Sequence, residues 1–286
     1  MKTKLRVQQY DSAASFLRNS SKFLIQNETM NNLFWEVTKN WQFGKKINWA
    51  GSVFQNHKIG LSAIWMKTGY ILLSSVKTEA IQRLVDYGRA KQWEVNGIMG
   101  TRETVEEFSS RWEEESKLST KNFTKRFIIY ESTRAYNAKI TKKSGNLELV
   151  QASEFEWPRI RLWAANFAQE ASPALNREAT IMMAKSMLKN KNLYLLKNGI
   201  QSLGMAGFGR NTPNRMVINM VFTPPEFRGK KYASHLVSLM IKKAQKNGFS
   251  HTLLFSDYLE QKNLYQTIGC KPVGEFCEMK LFNRKK

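Results

Sequence analysis

The sequence predicts a mixed α/β fold, an α+β arrangement in which helices cover a mixed sheet, on a chain long enough for two domains. Three observations support this class. The 286 residues exceed the length of one average domain. Hydrophobic residues make up 42% and aromatic residues 12% of the chain, which excludes disorder as the main state. Short β-rich segments alternate with segments whose apolar residues recur at helical spacing, as in a sheet covered by helices.

The first half of the chain predicts a β-hairpin followed by two helices. The β-rich runs 58–66 and 70–75 flank a turn at Lys67-Thr68-Gly69. Thr78 can cap a helix that continues to about Trp93, and a second helix is predicted over residues 102–117.

A polar segment, residues 117–146, is the candidate boundary between domains. It is rich in Lys, Asn, Thr and Ser and contains a short predicted strand at residues 127–130. We place the boundary near residue 140, which gives an N-terminal domain, 1–140, and a C-terminal domain, 141–286.

The second half predicts a more regular series of elements. Asn176 can cap a helix, Asn198-Gly199 is a two-residue hairpin turn, and Gly248 and Gly269 can end helices. The predicted order is a strand at 147–150, helices to 169 and over 176–188, strands at 193–196, 200–208 and 215–222, a helix at 232–247, a strand at 252–255, a helix at 261–268 and a strand at 275–282.

The charge of the chain is strongly positive and evenly spread. Lys and Arg number 45 against 23 Asp and Glu, a net charge of +22, and residues 1–146 and 147–286 each carry half of the excess. Only the last three residues resemble a basic tail. We therefore expect globular domains whose basic surfaces favour phosphate-bearing partners.

Several protein classes are excluded by what the sequence lacks. Its two cysteines, Cys270 and Cys277, form no Cys-x-x-Cys pair, and its three histidines have no metal-ligand spacing, so we expect no metal site. The N-terminus has no apolar signal-peptide core, and the most apolar stretch is interrupted by a turn. These features predict a soluble, cytoplasmic protein without a membrane segment.

The strongest functional signal lies in residues 217–234. A predicted strand meets Pro224 and Pro225, which cannot donate to a strand ladder, and a basic loop with Gly229 then leads into a helix. Free backbone N–H groups and the dipole at a helix start favour a phosphate, and Arg228 and Lys230 add positive charge. The segment is a candidate diphosphate site, although an ordinary strand-to-helix connection would have the same elements.

The same residues resemble the GNAT superfamily of N-acetyltransferases. The coenzyme A loop of that family reads Arg/Gln-x-x-Gly-x-Gly/Ala, with Arg228 at its first position and Ala233 at its last. Lys231 departs from the pattern because it stands where the family has Gly, and a side chain restricts access to left-handed backbone conformations. The preceding Thr223-Pro224-Pro225-Glu226 is similar to the turn of one GNAT subgroup.

The resemblance continues downstream and covers about residues 147–283. Tyr265 matches the family's Tyr beside the coenzyme sulfur, while Lys262 stands where many members have Asn and Asn263 follows it. The first half, with its run at 95–100, resembles the N-terminal part of tandem-GNAT chains but has no basic loop, so we interpret it as a degenerate GNAT-like domain.

The resemblance implies an acetyl-CoA-dependent N-acetyltransferase in which a neutral amine attacks the thioester directly. Tyr265 would be the general acid, since a phenol can protonate a thiolate; a plain core tyrosine is the alternative. The residues expected to bind the cofactor are Met220, Val221, Phe222, Thr223, Arg228, Gly229, Lys230, Lys231, Tyr232, Ala233, Ser234, Asn263 and Tyr265.

The general base and the acceptor stay open. Glu226 adjoins the loop and Glu170 ends a helix that borders the acceptor site in the family, but either can be a surface carboxylate, and a relayed water could serve instead. The acceptor could be an amine-bearing small molecule, a peptide or a protein, and the chain a monomer or a homodimer. The rival functions are an acyl-CoA sensor and a nucleic-acid-binding module; evenly distributed charge does not favour the latter.

Overall fold

A computed structural model describes residues 4–75, 79–112, 123–133, 146–257 and 264–281. The strands in this part of the chain are β1 (Leu5–Gln9), β2 (Ile47–Gln55), β3 (Lys58–Met66), β4 (Tyr70–Leu73), β5 (Gly97–Thr101), β6 (Phe123–Ser132), β7 (Leu147–Gln151), β8 (Leu193–Asn198), β9 (Gln201–Phe208), β10 (Arg215–Phe222), β11 (His251–Ser256) and β12 (Lys271–Lys280). The helices are α1 (Ala13–Gln26), α2 (Asn32–Gln42), α3 (Glu79–Ala90), α4 (Arg102–Trp112), α5 (Trp157–Glu170), α6 (Arg177–Lys189), α7 (Tyr232–Lys246) and α8 (Leu264–Thr267).

The chain divides into two compact units. Unit 1 comprises Met1–Phe127 and Gly274–Lys286, and unit 2 comprises Ile128–Val273. The predicted boundary at residue 140 lies outside the described residues and stays a prediction. The sequence assigns residues 274–286 to the second domain, whereas they belong to unit 1 because the end of β12 pairs antiparallel with β5.

Unit 1 is a mixed sheet with the strand order β1–β2–β3–β4–β5–β12–β6. β1 to β4 are antiparallel neighbours, and β4 and β5 are parallel. Its core includes Ile71, Leu84, Phe108 and Cys277, all with no exposed surface. Aromatic rings extend this core, with the centroid of Trp93 lying 4.8 Å from that of Trp49.

Unit 2 is a second mixed sheet with the order β6–β11–β10–β9–β8–β7. α5 and α6 cover one face, where Leu195 and Met205 are fully buried. α7 covers the other face, packing Leu236 and Met240 against strand residues such as Leu196. Because successive side chains of a strand point to opposite faces of the sheet, each strand contributes residues to both cores.

Local sequence signals placed most elements of unit 2. Asn176 caps α6 by accepting from the N–H of Ala179 at 2.8 Å, and Asn198-Gly199 joins β8 to β9. Gly248 and Gly269 end α7 and α8 with φ of 89° and 86°, which favour glycine. α5 begins at Trp157 directly after a short 3-10 turn at Glu154–Glu156, and Pro158 lies in its first turn, where a missing N–H is tolerated. Thr78 and the helix residues predicted beyond 112 lie outside the described residues.

Candidate functional site

Two parallel strands of unit 2 separate where the predicted site begins. β10 pairs with β11 only from Arg215 to Val217, opposite His251 to Leu253. β10 then continues to Phe222 and β11 to Ser256 without pairing to each other. The separation opens a gap between the C-terminal ends of the two strands, where open α/β sheets bind ligands.

A β-bulge changes the course of β10 inside this gap. Asn219 pairs with Gly207 and Phe222 with Met205, so Met220 and Val221 oppose a single residue of β9. Met220 has a φ of 52°, and its N–H donates to the Asn219 side-chain oxygen at 2.9 Å. The bulge thereby turns backbone polar groups away from the sheet ladder.

Thr223 follows the end of β10 and carries an unsatisfied polar atom. Its hydroxyl oxygen is buried and has no hydrogen-bond partner among the residues that the structure describes. Buried hydroxyl groups normally have partners, so the unsatisfied hydroxyl of Thr223, which lies beside Gly204 of β9, is unusual.

The loop from residue 228 to α7 contains two residues with left-handed backbone conformations. Gly229 has a φ of 76°, and Lys231, which caps α7, lies in the left-handed region with φ 63° and ψ 16°. The side chain at position 231 therefore does not prevent the left-handed conformation, contrary to the expectation from the motif. Left-handed backbone costs a non-glycine residue about 1–2 kcal/mol, so Lys231 holds strain.

The start of α7 offers unpaired backbone donors. No hydrogen bond from the N–H groups of residues 229–234 is present within the described part of the chain, and the first backbone bond of the helix runs from His235 to Lys231 at 3.1 Å. Burial, followed by the charge of Lys231, lowers the pKa of His235 and keeps it neutral near pH 7. Unpaired donors, a helix dipole and exposed lysines are the groups that favour an anion at a helix start.

Arg228, the first residue of the motif, points back toward the strand end. Its Nε donates to the Thr223 carbonyl oxygen at 2.9 Å, and its Nη2 donates to both carboxylate oxygens of Glu170 at 2.6 and 2.9 Å. The guanidinium carbon also lies 5.8 Å from the ring centroid of Phe222. The structure thus brings together two predicted site residues, Arg228 and Glu170, that are 58 positions apart.

Glu226, the other predicted base, lies elsewhere in unit 2. It borders a cavity of about 480 Å³, separate from the Glu170 contact, whose lining residues are Pro158, Arg159, Leu162, Trp163, Gln201, Ser202, Glu226 and Phe227. Arg159 is fixed at this cavity by donating to the Ser202 hydroxyl oxygen at 2.9 Å. The two candidate bases therefore face different surroundings.

Tyr265 lies on α8 and is partly buried. Its ring packs edge-on against Tyr130 with centroids 5.6 Å apart, and both side chains join the core beneath α7. Burial, with smaller contributions from Cys270, Asp257 and Tyr130, raises the pKa of Tyr265. The phenol therefore stays protonated throughout the physiological range. Asn263, the remaining predicted contact, lies outside the described residues.

Sequence reasoning missed two residues that shape this region. Asp257, directly after β11, accepts from the backbone N–H of Ser172 at 2.9 Å and so holds the segment after α5 beside β11. Tyr130, in β6, packs against Tyr265. Asp257 could have been found from the sequence, because it is a polar residue directly after a predicted strand. No sequence signal pointed to Tyr130, because its partner Tyr265 is distant in sequence.

Unit 1 has a parallel pair like that of unit 2, but its gap is closed. β4 and β5 pair from Tyr70 to Leu72, and the N–H of Ser75 then donates to the side-chain oxygen of Asn31 at 3.0 Å. Asn31 is 1% exposed, and Asn27 donates to the Ser75 hydroxyl at 3.0 Å. Two asparagines from the α1–α2 connection are thus hydrogen-bonded to the backbone N–H and the hydroxyl of Ser75, just after β4.

The described residues contain no group of three or more His, Cys, Asp or Glu side chains able to hold a metal ion. Among the same residues, no helix has the length and apolar character needed to cross a membrane.

Comparisons with known proteins agree with this geometry. Residues 154–269 match the model of the Acetyltransferase (GNAT) family. The chain is similar in structure to an acetyltransferase of the GNAT family from Colwellia psychrerythraea, with a TM-score of 0.58, 11% identity, and 97% of this chain and 100% of that chain covered. A GCN5-related N-acetyltransferase from Sphaerobacter thermophilus gives a TM-score of 0.60 and 12% identity, with coverage of 97% and 95%.

A third similar structure is a tandem GNAT protein from the clavulanic acid biosynthesis pathway, with a TM-score of 0.53, 7% identity, and 97% and 98% of the two chains covered. No curated protein sequence matches the chain. At these identities the structures show the fold alone.

Residues 154–269 therefore form a domain of the GNAT acetyltransferase family, and the chain as a whole has a tandem GNAT fold. The family indicates transfer of an acyl group from an acyl-CoA.

Proposed function

We propose that this chain is an acetyl-CoA-dependent N-acetyltransferase that acetylates a primary amine by direct attack on the thioester. The observation that carries the proposal is the gap between β10 and β11, which opens beside the unpaired donors of residues 229–234. One end of the gap suits a flexible acyl-bearing arm, and the other suits the diphosphate to which that arm is joined.

The basic loop would hold the diphosphate. Its seven residues would contribute backbone donors and positive charge: Arg228, Gly229, Lys230, Lys231, Tyr232, Ala233 and Ser234. Anions bind at helix N-termini because N–H groups and the macrodipole act together there. The left-handed Lys231 supports this role, since it curves the loop around the free donors.

The end of β10 would hold the pantetheine arm and the thioester. Met220 and Val221 lie in the bulge, and Phe222 and Thr223 follow it. A backbone donor in the bulge would stabilise negative charge on the thioester oxygen as the amine attacks.

Tyr265 would supply the proton that the leaving group needs. The amine nitrogen forms a bond to the carbonyl carbon, the carbon–sulfur bond breaks, and the thiolate takes the phenolic proton. Because burial raises the pKa of Tyr265, its proton is in place at every physiological pH. Asn263 stays a proposed contact, outside the described residues.

The attacking amine must first lose a proton, and Glu170 and Glu226 are the proposed acceptors for it. Glu170 lies at the end of α5 beside Arg228, whereas Glu226 lines the 480 Å³ cavity. The geometry favours Glu170, because Arg228 places it next to the end of β10. A water molecule relaying the proton to either carboxylate is the alternative.

The acceptor class would be an amine-bearing small molecule, a peptide or a protein. An acyl-CoA sensor remains the second candidate function, supported only by the cofactor loop itself. A nucleic-acid partner has less support, because the positive charge is shared evenly between the halves of the chain.

Coenzyme A binding and turnover test the proposal. Acetyl-CoA consumption should appear with one or more members of an amine panel, measured as free thiol. Arg228→Glu should weaken coenzyme A binding at least about tenfold, because a phosphate partner becomes a like charge. Lys242→Glu, the same charge change at an exposed position on α7, is the control and should bind normally.

Each outcome separates the candidate functions. Unchanged affinity in Arg228→Glu would contradict the loop assignment. Coenzyme A binding without turnover of any amine would favour the sensor. Binding of an oligonucleotide that weakens steeply with salt, without coenzyme A binding, would favour the nucleic-acid module.

A further inference from the structure

The contact between Glu170 and Arg228 joins the two ends of the proposed site. Both side chains are close to half exposed, at 44% and 46%. Both carboxylate oxygens accept from the same guanidinium nitrogen, at 2.6 and 2.9 Å. Arg228 is therefore occupied by a carboxylate in this structure, at the position where the proposed diphosphate site begins.

Glu170 stands at an electrostatically unfavourable place. It is the last residue of α5, and the C-terminal end of a helix carries partial negative charge that disfavours a carboxylate. Its pairing with Arg228 offsets that repulsion. If Arg228 pairs with another anion instead, this repulsion is no longer offset, and a second cation would stabilise the Glu170 carboxylate.

The end of α5 lies across the gap between β10 and β11. On the β10 side, Arg228 bonds to both Glu170 and the Thr223 carbonyl. On the β11 side, the N–H of Ser172 bonds to Asp257 at 2.9 Å. A cation that pairs with Glu170 would accordingly sit at the mouth of the gap, where an acceptor must approach.

We propose that the cofactor diphosphate displaces Glu170 from Arg228, and that the released carboxylate then binds the ammonium group of the acceptor. This inference rests on the proposed function. A diphosphate carries more negative charge than one carboxylate and can also bond to the unpaired donors of residues 229–234. A half-exposed ion pair is weak, so a ligand with these advantages replaces it.

Glu170 thus has opposite effects on the two ligands. In the free protein it competes with the diphosphate for Arg228, and after cofactor binding it attracts the amine. Glu170 is a positioning residue in this scheme, whether or not it also accepts the proton. If Glu170 only oriented Arg228, it would strengthen diphosphate binding, and its removal would weaken the affinity for the cofactor.

Calorimetric titration with coenzyme A tests the first effect. Glu170→Gln should tighten binding about two- to fivefold at low salt, and the gain should shrink as salt increases. In an Arg228→Gln background the same change should alter affinity by much less. Glu178→Gln, an exposed carboxylate in the first turn of α6, is the matched control and should leave affinity unchanged.

Initial rates test the second effect, with the amine found by the turnover screen and saturating acetyl-CoA. Glu170→Gln should raise the KM for the amine about two- to fivefold, the effect of losing an exposed charge partner. If wild-type protein fails to bind coenzyme A, the proposed function is wrong. If wild type binds but Glu170→Gln binds equally or more weakly, the displacement is wrong and the function survives.

Discussion

The left-handed conformation of Lys231 leads to a prediction about stability and cofactor binding. At φ 63° and ψ 16° a lysine costs about 1–2 kcal/mol relative to ordinary backbone, whereas glycine adopts this region freely. Glycine also gains about 0.5–1 kcal/mol of unfolded-state entropy, which opposes folding. Lys231→Gly should therefore stabilise the protein by about 0.5–1 kcal/mol, or roughly 1–4 °C in melting temperature.

Two further variants separate backbone strain from charge. Lys231→Ala removes the ammonium but keeps the strain, so it should melt below Lys231→Gly. Lys230→Gly makes the same change at a neighbour outside the left-handed region, and it should destabilise by about 0.5–1 kcal/mol. Scanning calorimetry of the three variants and the wild type measures the order of their melting temperatures.

Coenzyme A affinity reports whether the strain matters for binding. Lys231→Gly and Lys231→Ala carry the same charge, so any difference between them is conformational. Because position 231 is already left-handed in the protein without cofactor, the strain is common to the free and bound states, and the two variants should bind coenzyme A about equally; tighter binding by the Gly variant would show that binding adds strain at this position. Because the charge of Lys231 helps to lower the pKa of His235, both variants should also raise that pKa in an NMR titration.

Equal melting temperatures for the Gly and Ala variants would refute the reasoning, since position 231 would then not be held in the left-handed region. A Gly variant less stable than wild type would refute it as well.

The remaining predictions concern the proposed acid, a buried ion pair and the division of the chain. Tyr265→Phe should lower kcat about 10²–10⁴-fold with little change in coenzyme A affinity; a wild-type rate would make it a packing residue. Hydrogen bonds from Lys197 and Ser153 outweigh burial and lower the pKa of Glu156 to about 2. Glu156→Gln should thus cost roughly 2–3 kcal/mol in urea denaturation at pH 7, and the difference should shrink as the pH falls from 4.5 toward 2; a difference independent of pH would contradict this. A fragment of residues 141–286 should aggregate and not bind coenzyme A, because it lacks the strand residues 128–132 that pair with β11; a monomeric fragment that binds would show that this strand is dispensable.

Local signals in the sequence were sufficient for the elements of unit 2. The cap at Asn176, the turn at Asn198-Gly199 and the stop at Gly248 each act within a few residues, so their chemistry can be read directly. In unit 1 the hairpin of β3 and β4 was predicted, but β1, β2, α1 and α2 were not. A helix signal was present in α1, where Ser12 accepts from the N–H of Ser15 and buried Phe16 and Leu24 lie on one face. The core of this region also contains polar residues, since buried Ser20, Ser52 and Ser62 bond to one another.

Some features of the candidate site could likewise be predicted from the sequence, and others could not. The basic loop after β10 was found from sequence because a strand, two prolines, a glycine and a helix start are consecutive in the chain. The bulge at Met220 was not predicted from the sequence, because it depends on the register between β10 and β9. The sequence indicated that a side chain at position 231 restricts access to left-handed conformations, and the surrounding fold imposes one at a cost of about 1–2 kcal/mol.

The sequence by itself determined the class of fold, the order of elements in residues 147–257 and the loop proposed to bind a diphosphate. These follow from short-range preferences of the backbone and from the periods of apolar residues. Only the tertiary structure decided that the end of β12 pairs with β5 in unit 1, that Asn31 accepts from Ser75 after β4, and that Glu170 pairs with Arg228. Each of these contacts joins residues more than 40 positions apart, and such pairings depend on the packing of whole sheets and helices, which no local pattern encodes.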